Sequence, residues 1–331
     1  MQITVLGAGA WGTALAKVLA DKDHPTLLWS HRADLAAAIN EEQVNHRYLP
    51  FARLPRTLRA TADMKEALTG SELVVVVVPS HALRNVMRDA KPHLPGNALL
   101  CSATKGIEND TLMLMSDVLL DELGDHTLAR LTYLSGPSFA KEVALGMPTA
   151  VVVAGAGRRE TETVQRTFAT DRLRVYSSAD VTGVELGGAM KNVMAIAAGA
   201  CDGLGFGHNA RAGMITRGLV EMGRVASKMG ANPVTLAGLS GMGDLILTCT
   251  GDLSRNRTVG FELGKGRTLD DILATLGHVA EGVKTTKSAY DLSRKLGVEM
   301  PITQEVYRVL YENKSPRQAV TDIMQRPLTH E

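Results

Sequence analysis

The chain has 331 residues, which at roughly 100–200 residues per domain suggests two domains. Hydrophobic residues make up 45% and charged residues 21%, a balance that excludes a disordered chain. Lys plus Arg (36) nearly equals Asp plus Glu (35), and there are only 5 Phe, 2 Trp and 6 Tyr, so neither charge nor base stacking points to nucleic acid.

Gln2–Leu6 reads as a strand directly after Met1, with no basic stretch leading into a long apolar one, so no signal peptide is expected. The purest apolar run, Leu73–Val78, is far too short to cross a bilayer. These features predict a cytoplasmic protein with no stable membrane insertion. Cys101, Cys201 and Cys249 are odd in number and widely spaced, which suggests neither a disulfide framework nor a metal site.

Strand and helix signals alternate through the first half. Ile3–Leu6 and Thr26–Trp29 read as strands, with helices at Ala14–Leu19 and Asp34–Glu42. Asp63–Leu68 is a short helix before the β-branched run Leu73–Val78, whose lack of a polar face predicts burial on both sides. Helices follow at His81–Lys91, Thr111–Leu123 and Arg159–Thr167, and strands at Ala98–Ser102, Leu131–Ser135, Ala150–Ala154 and Leu173–Ser177. Such alternation predicts a doubly wound α/β domain. From Val184 onward the apolar period is helical, with later segments at Thr258–Gly264, Leu269–Leu276, Thr285–Leu296, Thr303–Tyr311 and Pro316–Met324. The expected division is residues 1–183, α/β, and residues 184–331, all helical.

Gly7-Ala8-Gly9-Ala10-Trp11-Gly12 fits G-x-G-x-x-G and stands between a strand and a helix, the context the motif requires. The glycines permit a tight turn, close approach to a pyrophosphate and close helix packing. A plain strand-to-helix turn is the alternative. After the second strand comes Ser30-His31-Arg32, with no acidic residue at the strand end. A guanidinium there suits the 2′-phosphate of NADP(H), which is favoured, with NAD(H) as the alternative.

Four polar segments stand among small residues. Lys105 follows a strand, and Gly136 and Ser138 follow another, at the strand ends where such sheets bind ligands. Ser138 also suits a helix cap. Lys191 and Asn192 interrupt an apolar helical stretch, where a lysine is costly unless it is paired or needed, or unless its stem reaches the surface. Asp244, between Gly243 and Leu245, is a candidate partner for Lys191. Ser254-Arg255-Asn256 offers several donors and no carboxylate, which suits a phosphate, while Ser254 also suits an N-cap.

Together these segments resemble the bacterial NAD(P)-dependent glycerol-3-phosphate dehydrogenases. The resemblance rests on Gly7-Ala-Gly-Ala-Trp-Gly-Thr-Ala-Leu-Ala16, Val77-Val-Pro-Ser80, Ala103-Thr-Lys-Gly106, Ser135-Gly-Pro-Ser-Phe-Ala140, Glu185-Leu-Gly-Gly-Ala-Met-Lys-Asn-Val193, Gly241-Met-Gly-Asp-Leu245, Thr248-Cys-Thr-Gly251, Ser254-Arg-Asn-Arg257 and Val279-Ala-Glu-Gly282. Each is short, but their joint order is specific. The resemblance implies a Rossmann-like domain joined to a helical domain like the C-terminal one of 6-phosphogluconate dehydrogenase. It implies reversible reduction of dihydroxyacetone phosphate to sn-glycerol 3-phosphate, feeding glycerophospholipid synthesis, in a protein that is commonly a homodimer. Lys191 matches the proton donor and acceptor. Lys105, Gly136, Ser138, Lys191, Asp244, Ser254, Arg255 and Asn256 match substrate contacts. Gly7, Gly9, Ala10, Trp11, Gly12, His31, Arg32, Tyr48, Lys105, Ala140, Arg255, Val279 and Glu281 match cofactor contacts. Ala10 stands where many members have Ser, so a hydroxyl bond to the phosphates is lost there. No metal is implied. A dehydrogenase for another hydroxy acid, or an NADPH-sensing module without catalysis, are the competing readings.

Overall fold

The structure, a computed structural model, describes residues 1–276, 280–328 and 330. The chain divides into two compact units, Met1–Lys105 with Met113–Val184, and Gly106–Leu112 with Glu185–Glu331.

The first unit runs β1 (Ile3–Leu6), α1 (Ala10–Asp21), β2 (Thr26–Trp29), α2 (Ala33–Glu42), β3 (Val44–Asn45), β4 (Leu49–Arg53), β5 (Leu58–Thr61), α3 (Met64–Leu68), β6 (Leu73–Val76), α4 (Ser80–Ala90), β7 (Leu99–Ser102), α5 (Met115–Leu123), β8 (Leu131–Ser135), α6 (Ala140–Ala144), β9 (Thr149–Gly155), α7 (Arg158–Phe168) and β10 (Leu173–Ser178). Eight strands form one sheet in the order β10-β9-β8-β7-β6-β1-β2-β5. Strands β5, β2, β1, β6, β7 and β8 pair parallel, while β9 turns antiparallel to β8 and β10 follows β9 in parallel. This is a Rossmann-like sheet. Strand order reverses at β1, between β2 on one side and β6 on the other, so the loop after β1 opens at the switch point where such sheets bind ligands. Strands β1 and β6 are buried along their whole length, β6 as an unbroken apolar run and β1 with the Thr4 hydroxyl bonded to the Ala67 carbonyl.

Residues 43–61 depart from the sequence reading, which assigned them no element. They form the antiparallel pair β3–β4 and the parallel edge strand β5. Strand β3 has 2 residues and β4 contains Pro50, so neither carries a strand signal. Helix α5 starts at Met115 and not at Thr111, because Leu112 takes a left-handed φ of 60° that no helix continues through.

From Val181 on, the elements among the described residues are helical: α8 (Val181–Gly203, which begins in the first unit), α9 (His208–Lys228), α10 (Pro233–Leu236), a π-helical turn at Leu239–Gly243, α11 (Asp244–Thr250), α12 (Arg255–Gly264), α13 (Leu269–Leu276), α14 (Glu281–Leu296), α15 (Pro301–Tyr311) and α16 (Pro316–Met324). Helix starts are chemically marked. Asn232, Ser254 and Ser315 each accept a backbone N–H from the first turn, and Pro233, Pro301 and Pro316 begin their helices. Helices α8 and α12 cross with backbones in contact. A Cβ on Gly199 would lie 2.0 Å from the Arg257 carbonyl, and one on Gly260 1.9 Å from the Ile196 carbonyl. All three cysteines are free and buried, and burial pushes the Cys249 thiol up to about 12. Among the described residues no single helix is long and apolar enough to cross a membrane.

Candidate active site

In the first unit the three glycines of the loop after β1 have different physical duties. Gly7 has a φ of 119°, and a Cβ there would lie 2.3 Å from the Val77 carbonyl. A Cβ on Gly12 would lie 1.9 Å from the Gly7 carbonyl, so only glycine lets α1 start so close to β1. A Cβ on Gly9 would meet no protein atom within 4 Å. Nothing inside the fold requires glycine at that position, which is what a backbone cradle for a pyrophosphate needs. Trp11, in the first turn of α1, has a buried indole Nε1 with no hydrogen-bond partner among the described residues. Ala10, Trp11, Tyr48 and Ala140 all pack on the same apolar cluster. The loop, its open side and the unpartnered indole fit a dinucleotide.

His31 is exposed at the end of β2, and Arg32 is the N-cap residue of α2. The Arg32 guanidinium does not stand open. Its Nη2 and Nε donate to Asp34 Oδ2 and Oδ1 at 2.5 and 3.2 Å. Sequence reasoning set Asp34 aside because it lies in the helix, yet the first turn brings its carboxylate back over the cap residue. That contact raises the Arg32 pKa and lowers that of Asp34, chiefly through the shared hydrogen bond.

Lys105, Gly136 and Ser138 come together around one oxygen. Lys105 Nζ and Ser138 Oγ both donate to the Gly136 carbonyl, at 3.3 and 2.9 Å. Gly136 has a φ of 131° and lies against Val151 of β9, so the fold itself demands glycine there. Ser138 does not cap α6; the cap residue is Phe139.

In the second unit Lys191 lies on α8 among apolar and small residues. A Cβ on Gly187, one turn earlier, would lie 2.3 Å from the Ser240 carbonyl. That close approach seats the π-helical turn against α8, and the turn delivers Asp244 to Lys191. Lys191 Nζ lies 2.8 Å from Asp244 Oδ1, with the side chains 10% and 2% exposed. Thr248, one turn along α11, donates its proton to the Asp244 carbonyl at 2.6 Å. Its oxygen then accepts from Lys191 Nζ at 2.8 Å. Two of the three ammonium protons are thus directed within the protein, and one is left. A π turn is a rare irregularity that often accompanies functional sites. Sequence reasoning had not singled out Thr248; its four-residue spacing from Asp244 was the available signal.

The α8–α12 crossing brings Asn256 to Asn192, whose Oδ1 accepts from Asn256 Nδ2 at 2.9 Å. Asn256 Oδ1 in turn accepts from Gly282 N at 3.0 Å, which ties in the start of α14 next to Glu281. Ser254 Oγ accepts from Arg257 N at 3.2 Å as the cap of α12, so the capping reading and a free O–H donor hold together. Arg255 is exposed and has no ion-pair partner among the described residues. Arg257 is different, paired with Asp202 at 2.8 Å and Asp252 at 3.0 Å. Val279 lies outside the described residues. Among the described residues no three His, Cys, Asp or Glu side chains are grouped to hold a metal ion.

A glycine loop at the switch point of a Rossmann-like sheet is the arrangement of a dinucleotide-binding domain. Family comparison agrees. The model for the N-terminus of NAD-dependent glycerol-3-phosphate dehydrogenase matches residues 2–161, and that for the C-terminus matches residues 180–321. The chain belongs to the NAD-dependent glycerol-3-phosphate dehydrogenase family. The glycerol-3-phosphate dehydrogenase (NAD(P)+) of Syntrophotalea carbinolica is 54% identical over 331 residues, covering 100% of this chain and 99% of that protein. Its counterpart in Citrifermentans bemidjiense is 53% identical, covering 100% and 98%. The crystal structure of glycerol-3-phosphate dehydrogenase from Coxiella burnetii superposes with a TM-score of 0.94 at 42% identity, covering 98% of this chain and 99% of that one. The chain is therefore an NAD(P)-dependent oxidoreductase of the glycerol-3-phosphate dehydrogenase family, with the two-part architecture that its sequence resemblance implied.

Proposed function

We propose that this dehydrogenase reversibly reduces dihydroxyacetone phosphate to sn-glycerol 3-phosphate, with NADP(H) favoured over NAD(H). Residues 1–183 bind the dinucleotide, and residues 184–331 supply substrate binding and the proton. The single observation that carries the reading is the buried Lys191–Asp244 pair, 2.8 Å apart with Thr248 as a third member. A buried ion pair is weak support for stability alone, so a chemical use for it is the better explanation.

When bound, the reduced nicotinamide supplies the hydride to C2 of the ketone. Lys191 donates its remaining Nζ proton to the C2 oxygen as negative charge builds there, and takes it back in the reverse direction. Asp244 and Thr248 keep that ammonium aligned. Arg255, the open Ser254 O–H and the second Asn256 amide proton hold the substrate phosphate, and that binding fixes orientation. Lys105, Gly136 and Ser138 of the first unit are the further substrate contacts that the resemblance implies. The glycine loop Gly7–Gly12, with Ala10, Trp11, Tyr48 and Ala140, takes the dinucleotide. His31, Arg32, Lys105, Arg255, Val279 and Glu281 would be its further contacts, as the resemblance implies, with Arg32 suited to a 2′-phosphate. Supply of glycerophospholipid synthesis, a cytoplasmic location and a homodimer belong to the same reading and rest on the family resemblance.

The test is an absorbance assay of the reduced nicotinamide with dihydroxyacetone phosphate, run in parallel with NADPH and NADH. Fast oxidation of NADPH that depends on the phosphoketone is the expected result. Oxidation of NADH alone would overturn the cofactor preference, and oxidation of neither by folded protein would overturn the reaction.

A further inference from the structure

Asn45 lies outside the motifs, and its side chain ties the glycine loop to the rest of the first unit. It is fully buried, at 0% exposure. Its Nδ2 donates to the Ala8 carbonyl at 2.9 Å and to Thr13 Oγ1 at 2.8 Å. Its Oδ1 accepts from Tyr48 N at 3.2 Å. One amide therefore holds the glycine loop, the first turns of α1 and the turn that carries Tyr48.

The Ala8 bond has a directional consequence. Ala8 C=O and Gly9 N–H belong to one peptide plane, and in a trans peptide they point in opposite directions. No cis peptide bond is present. Pinning the Ala8 oxygen toward the buried Asn45 therefore aims the Gly9 N–H away from Asn45. Only a side-chain amide supplies two donors and an acceptor in this small space. An aspartate would set a carboxylate against the Ala8 carbonyl, and an apolar side chain would remove the bonds to the Ala8 carbonyl and Thr13 Oγ1, leaving Tyr48 N only its bond to the Asn45 carbonyl at 3.3 Å.

We propose that Asn45 is a positioning residue for the dinucleotide, orienting the Ala8–Gly9 peptide toward the pyrophosphate and setting the position of Tyr48. The inference rests on the glycine loop being the cofactor site, as proposed above. A role confined to stability would lower the melting temperature and leave the balance of kinetic constants unchanged. A positioning role raises KM for NADPH and for NADH together, because the pyrophosphate is common to both.

The experiment measures wild type, Asn45→Asp and the milder Thr13→Val with both cofactors and with dihydroxyacetone phosphate. In N45D the KM for each cofactor is expected to rise about tenfold, the scale of one buried charge-disfavoured hydrogen bond, with kcat at saturation within about threefold and KM for the phosphoketone unchanged. T13V moves the same constants in the same direction by a smaller factor, and decides the question if N45D does not fold. Cofactor KM values within about twofold of wild type, or equal rises for cofactor and phosphoketone, overturn the inference. If wild type itself fails to bind either dinucleotide, it is the cofactor-site reading that fails.

Discussion

Lys191 and Asp244 are paired at 2.8 Å where neither meets much water, and the contact exists because Gly187 lets the turn at Leu239–Gly243 lie against α8. The pair explains how a lysine survives in an otherwise apolar helix. It also makes the site sensitive to removal of either member.

Asp244→Ala leaves a buried ammonium without its counter-charge. The expected loss is about 3–5 kcal/mol of folding stability, read by denaturant titration. The double variant Lys191→Met/Asp244→Leu removes both charges and is expected to recover most of that stability while remaining inactive. Equal stability of D244A and wild type would contradict the pairing.

Arg255 and Arg257 are neighbours in sequence with opposite surroundings. Arg255→Ala is expected to leave the melting temperature nearly unchanged, since the side chain is exposed and has no ion-pair partner among the described residues. It raises KM for dihydroxyacetone phosphate by about 10- to 100-fold, the scale of charge-assisted hydrogen bonds to phosphate. Arg257→Ala breaks the pairs to Asp202 and Asp252 and is expected to lower stability first. An unchanged KM in R255A would remove the phosphate-receptor role.

The Arg32–Asp34 pair bears on cofactor choice. Arg32→Ala is expected to weaken NADPH and spare NADH. Asp34→Ala frees the guanidinium and is expected to shift preference further toward NADPH by a few-fold only, since both groups of the pair are exposed and solvent-screened. Both shifts shrink as salt is raised. An unchanged NADPH:NADH ratio in both variants would mean that Arg32 does not meet the 2′-phosphate.

Glu221 gives a pH prediction away from the site. Its carboxyl accepts from Ile302 N, Thr303 N and the Thr303 hydroxyl at the start of α15. Burial pushes its pKa up from 4.5 to about 7, a shift the hydrogen bonds and Arg224 only partly oppose. The folded state therefore binds the proton more tightly than the unfolded one. The stabilising contribution is fully present below about pH 4.5 and is lost as pH rises through about 7. Stability measured at several pH values between these limits is expected to fall more steeply in wild type than in Glu221→Gln. Parallel curves would refute the assignment.

The sheet and most helices were legible because their signals are local: unbroken valines for β6, helical spacing for α8, and a glycine motif in strand-to-helix context. The Lys191–Asp244 pair was legible because two charges in apolar surroundings have few partners. Residues 43–61 were not, since a strand of two residues and a strand holding Pro50 carry no periodic signal. Asn45 was missed for the same reason, its partners being set by the hairpin. Helices α12 and α14 begin earlier than their apolar period, at Arg255 and Glu281, because polar first turns carry caps and ligand contacts in place of core residues. The Asp34 contact with Arg32 depends on side-chain direction over a helix cap, which spacing alone does not report.

The most direct test of the central claim is turnover of Lys191→Ala on dihydroxyacetone phosphate with saturating NADPH. The account predicts a kcat lower by about 10²- to 10⁴-fold in a folded protein that still binds NADPH. Turnover near wild type in that variant would contradict Lys191 as the proton donor.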